Sequence, residues 1–174
     1  RTRNHFLTAM KKLGFDDVFE VAVGAEVVSE STRQYLKEKR AASPVISTAC
    51  PAILRLIQVK FPNLLENLLP LQAPVEGAAG MARKKAVKKS GLNQRDIGIF
   101  FITPCAAKMY TKYHPLKGDV SDIDGIISFQ DIYMLLRAEI KFAQRGGRRG
   151  SGRSVSFWRQ MAEFRRREPC PFPQ

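Results

Sequence analysis

The residues of this chain best suited to chemistry are its three cysteines, Cys50, Cys105 and Cys170, because a thiolate is at once a nucleophile, a redox group and a soft metal ligand. Their number is odd and their spacing wide, and the opening residues Arg1 to Met10 carry no apolar export signal, so a disulfide framework is not expected. Metal binding and plain burial are the readings left for each, burial being the commoner fate of a free cysteine. Two of the three share a context. Cys50 lies in Ser47-Thr48-Ala49-Cys50-Pro51 and Cys105 in Thr103-Pro104-Cys105, each a tight Pro-containing turn after an apolar run. Cys170, between Pro169 and Pro171, lies in a different setting.

The elements around the turns follow from periodicity and punctuation. Phe6, Leu7, Met10 and Leu13 have helical spacing, with Asn4 as a cap and Gly14 as a stop. Val18 to Val23 is β-rich and ends at Gly24, which predicts a strand. A helix is predicted from Ala25 to about Arg40, with Val27, Val28, Tyr35 and Leu36 inward. Pro44-Val45-Ile46 leads into the Cys50 turn, and a helix through Ile53, Leu54, Leu56, Ile57 and Val59 follows it up to Phe61-Pro62. Leu64 to Leu69 make another helical turn or two before Pro70. Pro74 and Gly91 bracket a longer helix in the usual Pro-first, Gly-last arrangement. Ile97 to Ile102 is apolar throughout, as a strand buried on both faces should be, and runs into the Cys105 turn. A last strand, Gly125 to Phe129, precedes a helix from Gln130 to about Phe142.

Strands alternating with helices imply an α/β fold with a mainly parallel sheet flanked by helices. Ligands in such sheets sit outside the carboxyl ends of the strands. Cys50 and Cys105 are both predicted to fall there, which makes a shared metal site as good a reading as separate burial.

Other side chains offer less. His5 and His114, the only histidines, sit on unrelated elements without ligand spacing and read as surface or capping residues. Gly77, Gly80 and Gly91 form no phosphate-cradling loop, and no serine or cysteine hydrolase arrangement is visible. Arg83, Lys84, Lys85, Lys88 and Lys89 read as the solvated face of a helix whose apolar side carries Val75, Ala78, Ala79, Ala82 and Val87, or as a dock for an acidic redox partner.

A length of 174 residues, 44% of them hydrophobic, fits one domain with a real core. No run of about 18 apolar residues is present to cross a membrane, so a cytoplasmic, soluble chain is expected. It opens without Met on a helix, so the natural protein is expected to extend upstream. The formal charge of +13 is uneven: from Arg145 to Gln174 eight Arg stand against two Glu, a net of +6 that leaves +7 for the other 144 residues. The boundary is placed accordingly, with a domain over 1–143 and an Arg/Gly/Pro-rich tail over 144–174. Three readings stand for that tail: an arm binding nucleic acid through Arg, Phe157 and Trp158, a disordered basic extension, or a slipped reading frame near Phe142.

Gly14-Phe15-Asp16-Asp17-Val18-Phe19-Glu20 followed by Gly24-Ala25-Glu26, the Cys50 turn, Thr103-Pro104-Cys105-Ala106-Ala107-Lys108, and Asp122-Ile123-Asp124-Gly125 together resemble the C-terminal domain of the large subunit of the [FeFe] hydrogenases. The two cysteine segments are similar to that family's TSCCPxW and MPCxxKxxE motifs, and the likeness covers about Leu7 to Leu136. The resemblance implies one lobe of the iron-only hydrogenase fold and makes Cys50 and Cys105 thiolate ligands of a [4Fe–4S] cluster, from which the family hangs a diiron unit. It also matches Lys108 to the family's lysine at the diiron unit, although spacing alone would read Lys108 as a solvated helix charge.

The departures point away from hydrogen turnover. Ala49 stands where the family has its proton-delivering cysteine, Thr111 where it has a relay glutamate, Thr103 for its Met and Ile53 for its Trp. The third motif, with two further cysteine ligands, is missing, which leaves the diiron unit doubtful. The expectation is an iron–sulfur module for electron transfer or redox or hydrogen sensing, of the kind anaerobes use, with ferredoxin-like domains or redox proteins as partners. Two alternatives are a fragment of a catalytic hydrogenase whose remaining ligands lie elsewhere and a basic nucleic-acid-binding protein. No membrane partner is expected.

Overall fold

The computed structural model describes residues 2–38, 44–114 and 121–144. The elements are α1 (Thr2–Lys12), α2 (Val21–Glu38), α3 (Pro51–Lys60), α4 (Pro74–Ser90), β1 (Phe100–Thr103), α5 (Ala106–Tyr113), β2 (Gly125–Ser128) and α6 (Phe129–Gln144), with short 3-10 turns at Pro62–Asn67 and Gln94–Asp96. The chain divides into two compact units, one from Phe19 to Ile126 and one that joins Arg1–Val18 to the segment from Ile127 onward. The tail expected over 144–174, and Cys170 within it, lies outside the described residues.

The larger unit holds both candidate cysteines. Its core gathers Ala79, Ile123 and Ile126, with Val75, Ile99, Phe101 and Met109 packed around them. Gly24 of α2 lies so close to α4 that a Cβ would stand 2.5 Å from the Pro74 carbonyl oxygen and 2.9 Å from the Ala78 Cβ. That contact explains why Val21 to Val23, rich in β-formers, opens a helix instead of ending a strand: packing against α4 outweighs a local preference that is weak and context-dependent. The inward face of α2 uses Val28 and Tyr35 as expected, but Val27 and Leu36 are exposed.

α4 spans the predicted residues. Pro74 occupies its first turn, and Gly91 ends it in the left-handed region at φ 71°, which glycine adopts without steric cost. Arg83 corrects the expectation of a solvated basic face, since it is only 7% exposed. Its guanidinium donates to the carbonyl oxygens of Ile97 (2.6 Å) and Asp122 (2.6 Å) and pairs with the Asp124 carboxylate at 2.6 Å. Lys84, Lys85 and Lys88 do face solvent.

The sheet among the described residues is β1 paired with β2, with a separate parallel bridge between Ile46 and Leu68. β1 begins three residues later than expected because the backbone before it is engaged elsewhere. Ile97 accepts from Arg83, while the Ile99 amide donates to the Asp124 carboxylate at 2.7 Å and its carbonyl accepts from the Asp124 amide at 2.8 Å.

The smaller unit buries Met10, Leu13, Ile127 and Ile132 and stacks Phe6 on Phe129 with ring centroids 6.0 Å apart. Asn4, expected as a cap, lies inside α1, where its carbonyl accepts from the Thr8 hydroxyl at 2.8 Å. No helix of the described residues is long and apolar enough to cross a membrane.

Candidate iron–sulfur ligand site

Cys50 and Cys105 occupy equivalent places. Each is the residue that caps the start of a helix, α3 for Cys50 and α5 for Cys105, and each has extended backbone angles, φ −107° and ψ 107° in one and φ −91° and ψ 109° in the other. Their carbonyls accept the first helical bonds, from Leu54 at 3.1 Å and Met109 at 3.2 Å. Neither thiol caps its own helix. The first-turn N–H groups at each start are therefore not claimed by the cap side chain, which leaves these donors open to an anionic partner. Cys50 is exposed and Cys105 partly buried, so both sulfurs are within reach of a ligand.

The same local device builds both turns. A hydroxyl two residues before a backbone N–H accepts from it: Ser47 from the Ala49 amide at 3.3 Å, and Thr103 from the Cys105 amide at 3.2 Å. Such turns are a standard use of Ser and Thr outside helices. Thr103 is buried to 3% exposure at the end of β1. Cys50 does not follow a strand as expected; Ile46 makes only its bridge to Leu68, and the Thr48 hydroxyl donates to the Leu71 carbonyl at 2.7 Å to hold the turn.

α3 and α5 pack against one another. The Arg55 guanidinium lies over the Tyr110 ring at 5.0 Å and donates to the His114 carbonyl oxygen. Tyr110 in turn stacks on His114 with centroids 4.1 Å apart. The two cysteine helices are thus joined in one assembly. Arg55 and Tyr110 were not singled out by sequence reasoning, yet a signal was present: each lies five residues after its cysteine.

Lys108 is half-buried in the first turn of α5, three residues after Cys105. A cation there opposes the helix dipole by about 0.3–1 kcal/mol, so its place is not explained by helix stability. Ala49 carries no titratable group. Thr111 donates its hydroxyl to the Ala107 carbonyl at 2.9 Å, an ordinary helical back-bond. Ile53 is 41% exposed. His114 closes α5, and the described residues contain no cluster of three or more His, Cys, Asp or Glu side chains that could hold a metal. Two thiols suit iron–sulfur chemistry but form half of the four-thiolate set a cubane normally takes.

A family model described as iron only hydrogenase large subunit, C-terminal domain, matches residues 1–150. Iron hydrogenase 1 of Clostridium pasteurianum is 27% identical over 143 residues, covering 79% of this chain and 25% of its own length. The NADP-reducing hydrogenase subunit HndD of Solidesulfovibrio fructosivorans is 23% identical over 148 residues, covering 78% of this chain and 25% of its own. Among solved structures, a variant of the [FeFe]-hydrogenase HydA1 from Chlamydomonas reinhardtii superposes with a TM-score of 0.58 at 21% identity, over 81% of this chain and 36% of that one. The chain spans about a quarter of the length of these curated relatives and shares the hydrogenase fold over most of its own, and by the family match it belongs to the family of C-terminal domains of the iron only hydrogenase large subunit.

Proposed function

We propose that the chain is an iron–sulfur module in which Cys50 and Cys105 supply two thiolates to a [4Fe–4S] cluster, used for electron transfer or for redox or hydrogen sensing rather than efficient hydrogen turnover. The observation that carries this reading is the matched pair of helix starts, each headed by a cysteine whose thiol leaves the first-turn N–H groups unclaimed. A bound cluster would supply one-electron chemistry, and the chain's residues would supply the thiolates, the positive ends of two helices and their relative placement.

The case against turnover rests on Ala49 and Thr111. A methyl group moves no proton, and a hydroxyl is too weak an acid to serve as a relay near neutral pH. Lys108 is assigned a positioning charge toward an anionic ligand of the site. The remaining ligands come from outside the described residues, in a longer chain or a redox partner such as a ferredoxin-like domain. A reducing, anaerobic cytoplasm suits such a site, because thiolates in oxidising compartments are drawn into disulfides.

Anaerobic reconstitution of the full chain, read by iron and sulfide content and by EPR, tests the reading beside a Cys50→Ala/Cys105→Ala double variant. Stoichiometric cluster lost in the variant is the expected result. Equal or negligible iron in both would mean that the fold persists here without its cofactor.

A further inference from the structure

Among the described residues, one cation bridges α3 and α5. Arg55 spans from α3 to α5, lying over the face of Tyr110 at 5.0 Å and donating through its Nη2 to the carbonyl oxygen of His114 at the end of α5. Tyr110 is held against that end by its own stack on His114, at 4.1 Å and 12° between planes, and the His114 ring Nδ1 lies 3.2 Å from the Tyr110 carbonyl oxygen. Arg55 Nε is buried and has no hydrogen-bond partner among the described residues. A buried donor left unpaired is costly, and it persists where other contacts hold the side chain in place. Only a planar, forked cation can cover a ring face and reach a carbonyl beyond it; a lysine offers a point charge on a flexible stem.

We propose that Arg55 is a positioning residue: it clamps the Cys50 helix to the Cys105 helix and sets the separation of the two thiols, which on the cluster reading is the spacing of two cluster ligands. The offsets favour this role. Arg55 and Tyr110 each follow their cysteine by five residues, so the clamp engages both helices little more than one turn from the sulfur-bearing residues. A rigid support so close to a ligand transmits its geometry with little slack. The clamp uses carbonyl and ring acceptors and no carboxylate, so it needs no ion pair to form.

The test separates the clamp from the cluster. In the full chain carrying Cys170→Ser, nitroxides on Cys50 and Cys105 report the separation by dipolar EPR with no iron present. Arg55→Met should at least double the width of the distance distribution or shift its centre. Arg55→Lys should restore it only in part, and Ile57→Val, which weakens the buried side of α3, should leave it narrow at a comparable loss of melting temperature. An unchanged distribution in Arg55→Met, or an equal broadening in Ile57→Val, would overturn the clamp. Separately, the unlabelled chains are reconstituted with iron and sulfide. Where the wild type takes up a cluster, an altered EPR signature or lower iron content in Arg55→Met supports the consequence for the cluster, and an identical signature and content refutes that consequence. If the wild type takes up no iron through its cysteines, the cluster reading fails, while the distance measurement still decides the clamp.

Discussion

At the scale of single residues, Arg83 shows how a charge can be structural. Its guanidinium ties α4 to the segment before β1 and to the turn before β2, and Asp124 answers it while also accepting from the Ile99 amide. Removing one partner of a buried pair strands the other, at about 3–5 kcal/mol. Arg83→Met should therefore lower stability by about 3 kcal/mol in urea denaturation, the lower figure reflecting an Asp124 side chain that is 30% exposed. Asp124→Asn, which keeps the shape, should cost less; a loss under about 0.5 kcal/mol for Arg83→Met would show that the Arg83 contacts do not hold this segment. Thr103 calls for a second measurement at this scale. Its hydroxyl accepts from the Cys105 amide, so Thr103→Val, which keeps the volume and loses the acceptor, should cost about 1 kcal/mol. It should also raise the alkylation rate of Cys105 relative to Cys50, read by peptide mass spectrometry.

Between elements, α2 comes close to α4 at Gly24. A methyl group there would meet the Pro74 carbonyl, which is backbone and cannot swing aside. Gly24→Ala should cost about 1–3 kcal/mol, against the small gain alanine usually brings within a helix; a stabilised variant would mean that the two helices slide apart freely. α3 offers the opposite case. Ile53, Leu56 and Val59 are 41%, 46% and 75% exposed, so they add little to the stability of this unit. Val59→Glu should change the unfolding free energy by no more than about 0.5 kcal/mol in urea denaturation. A large loss would show that this face is covered in the isolated chain.

For the whole molecule, the proposed cluster reading calls for more ligands than two cysteines. The chain spans about a quarter of the length of the curated hydrogenases it matches, and the described residues contain no group of three or more His, Cys, Asp or Glu side chains that could hold a metal. Small thiols should then complete the site: cluster content after reconstitution should rise with added thiol until it saturates, and iron per chain should track that rise. Content independent of thiol would mean that residues of the chain outside the described segments close the coordination sphere. The charge of +13 follows the same division, because nearly half of it belongs to the residues from Arg145 onward and the basic surface of α4 is smaller by Arg83.

The turns that carry the two candidate cysteines were legible in the linear chain. The Pro-containing turn at Cys50 is followed by a helical pattern that puts Cys50 at a helix start, and Pro74 with Gly91 brackets α4, because caps and breakers act through local backbone geometry that needs no partner; the helix after Cys105, α5, was not read from periodicity. The likeness to the hydrogenase family rests on the same local motifs. What tertiary structure alone decided is where local preference met a neighbour. Val21 to Val23 became helix because Gly24 packs on α4, the Ile97 carbonyl and the Ile99 amide were taken by Arg83 and Asp124, and Arg83 left the surface to hold this segment. The pairing of Arg55 with Tyr110 belongs to this second class, since no periodicity within one segment specifies which ring a cation on another helix will cover.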